Sequence, residues 1–123
     1  MKYMLLTYLD EKAWAALGEA EQKRIMKGAD PHVQALRASG KFLGGAPLYP
    51  TSAAATVKLE GGKPLITDGP FAETREQLGG YALIEAASRD EAIRIAAGFL
   101  GTSSPSTIEI REIVELPGIP AHL

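Results

Sequence analysis

The chain has 123 residues, of which 46% are hydrophobic and 23% charged, so we expect a single soluble domain spanning residues 1–123. Its formal net charge of −2, without any cluster of Lys and Arg, argues against nucleic-acid binding, and the lack of cysteine excludes disulfides and thiol nucleophiles. Because no segment resembles a signal peptide or a membrane span, we expect a cytoplasmic protein with no membrane partner.

The first predicted element is a strand over residues 3–9 that is apolar on both faces. Its side chains alternate between two sets, with Tyr3, Leu5 and Leu9 on one face and Met4, Leu6 and Tyr8 on the other. This pattern is typical of a strand buried on both sides of its sheet. A short helical turn is predicted next, over residues 11–17, and Gly18 ends it.

A longer helical pattern begins at Glu19 and ends before Gly40, a residue type common just after a helix. Asp30-Pro31 interrupts it, because proline inside a helix removes a backbone hydrogen bond. Two interpretations stay open. One is a single helix kinked at Pro31, which the unbroken apolar stripe favours slightly. The other is a new helix, with Asp30 as N-cap and Pro31 as its first residue.

The middle of the chain predicts strands. An irregular strand over residues 42–48 passes through Gly44-Gly45, and two runs over residues 56–60 and 64–68 flank Gly61-Gly62. A two-residue glycine pair between strands is a β-hairpin signal. Another strand is predicted over residues 81–86, and the preceding Gly79-Gly80 marks a bulge or a close backbone approach.

The last third of the chain predicts a helix and a strand. Ser88 and Glu91 have the spacing of a capping box, which begins a helix that ends at Gly98 or Gly101. A strand follows over residues 107–114, and then an extended tail at residues 117–120. This order predicts an α+β fold with a ferredoxin-like βαββαβ core and an inserted β-hairpin. Since two helices cover only one sheet face, we expect a homodimer through the sheet faces.

Residues 68–81 carry more specific side chains than a turn requires, and loops on a rigid scaffold are where function concentrates. Their sequence, DGPFAETREQLGGY, resembles the signature of the YCII-related, or DGPF-domain, family. The resemblance covers nearly the whole chain, because other segments also agree: the Tyr-rich first strand, Ala38-Ser39-Gly40, residues 54–57, residues 88–92 and Ile108-Glu109-Ile110-Arg111.

The resemblance implies a dimeric α+β barrel, in which two ferredoxin-like sheets pack face to face, but no settled activity. Members are largely uncharacterised, some are encoded near extracytoplasmic-function sigma factors, and one relative in the wider superfamily is a dehydrochlorinase acting on a chlorinated hydroxylated aromatic. The wider family also shows a histidine and an aspartate proposed as an active-site pair. The matching residues are His32 and Asp68, although Asp30-Pro31 directly before His32 departs from the commoner pattern.

The candidate site residues each have two interpretations. His32, at the edge of the helical stripe, is either a general base facing a cavity or a partly buried helix histidine with one hydrogen bond. Asp68 either orients that histidine or initiates a turn. Further candidates for the same ligand pocket are Phe71 and Tyr81, which are otherwise core residues, and Tyr8. Glu73 either lines the pocket or, like Glu76, forms a surface ion pair with the intervening Arg75.

Two functions follow from these residues and the resemblance. One is an enzyme acting on a small oxygenated or aromatic metabolite, with His32 as base and Asp68 as its orienting partner. The alternative is a non-catalytic module that holds a small ligand in the same pocket, in stress or transcriptional signalling. The two histidines, with His122 in the tail, make a poor metal set, so no metal and no cofactor are expected.

Overall fold

The computed structural model describes residues 1–101 and 103–123. Over these residues the chain forms, in order, β1 (Lys2–Leu9), α1 (Glu11–Ala16), α2 (Glu19–Gly28), α3 (Asp30–Ala38), β2 (Phe42–Pro47), β3 (Ala55–Glu60), β4 (Lys63–Asp68), β5 (Gln77–Glu85), α4 (Arg89–Leu100) and β6 (Thr107–Glu112). A 3-10 turn at Thr51–Ala53 lies between β2 and β3.

Four of the strands form one antiparallel sheet in the order β2-β5-β1-β6, with β1 and β5 at its centre. This is the strand order of a ferredoxin-like fold, in which α1–α3 connect β1 to β2 and α4 connects β5 to β6. Strands β3 and β4 form a separate two-stranded sheet inserted between β2 and β5. The α+β prediction, with its inserted hairpin, is therefore confirmed.

The hydrophobic core lies on one face of the four-stranded sheet. Leu5 and Ile84, from the two central strands, are 1% and 0% exposed, and they pack with Leu36 of α3 and Ile95 of α4. The side chains of the opposite face are half-buried in the single chain and include Met4, Leu6 and Leu83. The central strands are thus apolar on both faces, while the described helices pack on only one of them.

Glycine sets the geometry of the hairpin, as predicted. Gly61 and Gly62 have φ angles of 58° and 79°, and Glu60 pairs with Lys63 beside them. Positive φ at both central residues is the geometry of a type I′ turn, whose twist matches that of the flanking strands. The Gly79-Gly80 prediction is also confirmed, since Thr7 pairs with Gly80 while Tyr8 pairs with Leu78, which leaves Gly79 as a bulge.

The favoured interpretation of residues 19–39 as one kinked helix is wrong. Two helices are separated by Ala29, whose φ of −81° and ψ of −17° keep it near helical geometry. Pro31 lacks the N–H that would bond to the Lys27 carbonyl, so the helical hydrogen bonds break there. The alternative was also inexact, because Ala29 rather than Asp30 is the N-cap of α3.

Some predicted boundaries differ in the structure. β5 begins at Gln77, before the predicted residue 81, because Gln77 and Leu78 continue its pairing with β1. Of the two predicted ends of α4, Gly101 is confirmed: the helix ends at Leu100, Gly101 follows with φ 57°, and Gly98 lies inside it. The predicted extended tail instead contains a turn, since the Ile119 N–H donates to the Leu116 carbonyl at 2.9 Å.

The N-terminus of α4 has an ion pair that should make stability depend on pH. Glu91 accepts a hydrogen bond from Lys41 Nζ at 2.9 Å and from the Ala87 N–H at 3.3 Å, and these two donors hold the pKa of its carboxyl below the ordinary value. A lowered folded-state pKa contributes stability above the unfolded pKa of about 4.3, and that contribution is lost as pH falls through the folded value.

We therefore expect Glu91→Gln to lower the urea unfolding midpoint at pH 7 and to lower it much less at pH 3. Unfolding curves of both proteins at the two pH values measure this difference. An equal decrease of the unfolding midpoint at both pH values would contradict this, because the negative charge of Glu91 would then contribute no stability.

Candidate functional site

A cavity of about 660 Å³ lies between the four-stranded sheet and the helices. Its walls are mostly apolar side chains from every helix and from β2, among them Trp14, Ile25, Met26, Val33, Phe42 and Phe99. Sites for small organic molecules in proteins are mostly apolar clefts of this size with few polar groups. The cavity is therefore the candidate functional site.

The cavity exists because side-chain size decreases along the helix-facing side of the sheet. At one end, Phe42 pairs with the buried Ile84. Further along, Gly45 pairs with Ala82, and Gly80 pairs with Pro47 and Thr7, so the sheet carries little side-chain volume there. Helices α1 and α2 cover this end without filling it. The sequence signal was two Gly-Gly pairs, which indicated irregular strands but not a cavity between strands and helices.

Gly45 is needed for a second reason. A Cβ atom at this position would lie 2.6 Å from the Tyr81 carbonyl oxygen and 3.0 Å from the Ala82 Cα atom. Both neighbours are backbone atoms of β5, which cannot move aside without disturbing the sheet. The edge strand β2 can therefore approach β5 only with glycine at residue 45, and this part of the cavity floor carries no side chain.

The polar side chains of the cavity wall are few, and two of them stabilise the wall itself. Glu11 of α1 accepts a hydrogen bond from the Thr51 N–H at 2.8 Å and another from the Thr51 hydroxyl. Gln22 Nε2 donates to the Trp14 carbonyl at 2.8 Å and ties α2 to α1. A third, Arg37, lies with its guanidinium carbon 5.2 Å from the centre of the Phe42 ring.

His32 joins two helices instead of facing the cavity. Its Nε2 lies 2.8 Å from the Ile95 carbonyl oxygen, and its ring meets Phe99 edge-on with the ring centres 4.8 Å apart. A carbonyl only accepts hydrogen bonds, so Nε2 carries a hydrogen and donates it. The ring also lies against Gly98, where a Cβ atom would be 2.4 Å from His32 Cε1. This geometry matches a helix histidine with one hydrogen bond.

Asp68 lies on a different element. It is the last residue of β4, is exposed, and pairs with Ala55 across the hairpin. The following residue is fixed by backbone contacts, since the Gly69 N–H donates to the Ala54 carbonyl at 2.7 Å. Among the residues that the structure describes, no hydrogen bond or ion pair joins Asp68 to His32. The pairing of His32 with Asp68 therefore stays a prediction. The two side chains are not in contact within a single chain.

The other four candidate residues do not converge on one site. Phe71 is 91% exposed in the loop between β4 and β5, and Glu73 in the same loop is also exposed. Tyr81 pairs with Leu6, and Tyr8 lies two residues further along β1, so both tyrosine side chains share the sheet face opposite the helices. Tyr81 also borders the cavity.

The signature loop is tied to the cavity wall through Asp10. Arg75 Nε lies 3.3 Å from Asp10 Oδ2, although the sequence favoured ion pairs of Arg75 with its neighbours Glu73 and Glu76. Asp10 also caps α1, and the Ala13 N–H, assisted by Arg75 and the Lys12 N–H, holds its pKa below the ordinary value. The loop and the first helix of the wall thus share one carboxylate.

Clusters of metal-ligating side chains and membrane-spanning helices are absent from the described part of the chain. Residues 1–101 and 103–123 contain no group of three His, Asp or Glu side chains arranged to hold a metal ion. In the same residues, no helix has both the length and the apolar character needed to cross a membrane.

Comparison with known proteins gives two matches. The family model of the YCII-related domain matches residues 1–117. An uncharacterised protein of Rhizobium meliloti (strain 1021) is 41% identical over 107 residues, a match that covers 87% of this chain and 86% of that protein. The family-model match extends over the cavity-lining helices and strands as well as the signature loop.

Proposed function

The chain belongs to the YCII-related family, and on that premise we propose that it binds a small, largely apolar organic molecule, aromatic or oxygenated, in the cavity between its helices and its sheet. The observation that carries this proposal is the cavity itself, which has about 660 Å³ of space over a floor of glycine, alanine and threonine. A well-packed domain of this size would leave few voids larger than a water molecule.

Binding without turnover, the second of the two functions open from the sequence, is the form of the proposal that we favour. A reaction through His32 would need its imidazole next to the ligand, whereas Nε2 donates to the Ile95 carbonyl and the ring packs between α3 and α4. Asp68, the expected partner, lies on the hairpin. Glu11 is a carboxylate on the cavity wall, but it already accepts two hydrogen bonds from Thr51.

Ligand binding in the cavity can be followed by the fluorescence of a tryptophan on its wall. Trp14 is the single tryptophan of the chain, and it lines the cavity wall. A ligand entering the cavity replaces water beside the indole, so its fluorescence should change on binding. Simple aromatic probes such as 4-phenylbutanol and 4-phenylbutyrate do not absorb at 295 nm, and titration with them measures occupancy of the cavity directly.

We expect Ala15→Phe to block the cavity and weaken probe binding by about tenfold or more, because Ala15 is an exposed residue of α1 on the cavity wall. The matched control is Ala16→Phe, which adds the same ring at a neighbouring exposed residue away from the wall. Titration of Trp14 fluorescence in the three proteins tests this. Equal binding in all three, or no binding to the unmodified protein, would contradict the proposal.

A further inference from the structure

The cavity wall is uneven in charge, and Arg37 is the origin of this asymmetry. The charged residues on the wall are Glu11, Asp30 and Arg37. Glu11 is already engaged by Thr51, and it lies beyond the Pro47 end of β2. Arg37 lies at the other end, over the ring of Phe42. Because Phe42 and Pro47 are the first and last residues of β2, the two ends of the cavity are separated by about 16 Å along this extended strand.

Arg37 has no acidic partner in the described part of the chain. No ion pair or side-chain hydrogen bond involves its guanidinium over residues 1–101 and 103–123. Asp30, the other acidic residue of the wall, lies seven positions earlier on the same helix, about 10 Å away along the axis. Stacking on Phe42 covers one face of the guanidinium and leaves its in-plane N–H donors available.

Resting on the proposed function, we infer that the ligand is an apolar molecule ending in one carboxylate or similar planar anionic group, which Arg37 binds. A carboxylate accepts two parallel N–H bonds from a guanidinium, and such charge-assisted pairs are among the stronger polar contacts in proteins. The apolar body of the ligand then lies along β5 over Gly80 and Ala82. At the far end Glu11 disfavours a second anion, which limits the ligand to one acidic group.

The test compares two probes of equal shape by Trp14 fluorescence, 4-phenylbutyrate and its neutral amide 4-phenylbutyramide. The acid should bind the unmodified protein about tenfold more tightly than the amide. Arg37→Gln should remove that preference by weakening acid binding about tenfold more than amide binding, and Arg37→Lys should restore part of it. The control Arg94→Gln, which removes a cation from α4 away from the cavity wall, should change neither affinity.

Two results would overturn the inference while leaving the proposed function intact. One is equal affinity of the unmodified protein for acid and amide. The other is an Arg37→Gln variant that weakens both probes equally, because Arg37 would then act only through its packing on Phe42. If neither probe binds the unmodified protein, the proposed function itself fails, and the inference fails with it.

Discussion

Gly98→Ala is expected to destabilise the protein by about 2 kcal/mol, although alanine is favoured over glycine inside helices. The reason is His32, whose ring lies where the new methyl group would be, with Cε1 at 2.4 Å and Nε2 at 2.5 Å from the Cβ position. The ring cannot easily move aside, because it is bonded to the Ile95 carbonyl and packed against Phe99.

The sign of this effect should reverse when the ring is removed. In an His32→Ala background the space above Gly98 is empty, so Gly98→Ala should stabilise the protein by about 1 kcal/mol through helix propensity alone. Gly28→Ala, at a helical glycine with nothing within 4 Å of the Cβ position, is the matched control and should be mildly stabilising in either background. Urea unfolding of the single and double variants gives the coupling energy.

If Gly98→Ala stabilised the protein even with His32 present, the ring would not lie between the helices. The imidazole would then be available for chemistry, and the catalytic interpretation with Asp68 would regain support. The double-mutant cycle therefore decides between a packing histidine and a general base without any knowledge of the substrate.

The second large effect concerns oligomeric state. We expect the unmodified protein to be a homodimer and the Leu83→Arg variant to be a monomer. Leu83 lies on a central strand, opposite Met4, on the sheet face that the helices leave uncovered. An interface on this face would bury on the order of 2,000 Å² or more, as obligate homodimers do. An arginine at its centre would have to be desolvated without a partner, which costs several kcal/mol.

Val57→Arg is the matched control for this prediction. Val57 is also an apolar strand residue, 65% exposed, but it lies on the hairpin and not on the four-stranded sheet. Light scattering at micromolar concentration should give a dimer mass for the unmodified protein and for Val57→Arg. A monomeric unmodified protein would contradict the prediction, and dissociation by Val57→Arg alone would move the interface to the hairpin.

Most of the fold could be predicted because its signals are local. Gly61-Gly62 sets a turn through its own φ angles, and Ser88 caps α4 by accepting a hydrogen bond from the Glu91 N–H at 3.1 Å. The two-faced apolar pattern of β1 likewise needs only alternation along one strand to be recognised. The prediction failed at Pro31 because two local effects opposed each other. The unbroken apolar stripe favoured one helix, whereas the missing N–H of Pro31 favoured a break between two helices.

The site could not be predicted in the same way, because it depends on which elements meet. Periodicity placed His32 at the edge of a stripe, but only the packing of α3 on α4 determines that it meets Ile95 and Gly98. The sequence suggested Gly98 as a helix end, whereas it is the contact point for that ring. The cavity similarly depends on the strand register that brings Gly45 and Gly80 to one surface under α1 and α2.

The most direct test of the proposed binding site is to determine which side of the sheet the ligand occupies. In methyl-labelled protein, nuclear Overhauser contacts from the ring protons of bound 4-phenylbutyrate identify the neighbouring side chains. Binding in the proposed cavity predicts contacts to Ile25 and Val33, which line the space between helices and sheet. Contacts to Leu6 and Leu83 on the opposite face, with none to Ile25 or Val33, would contradict it.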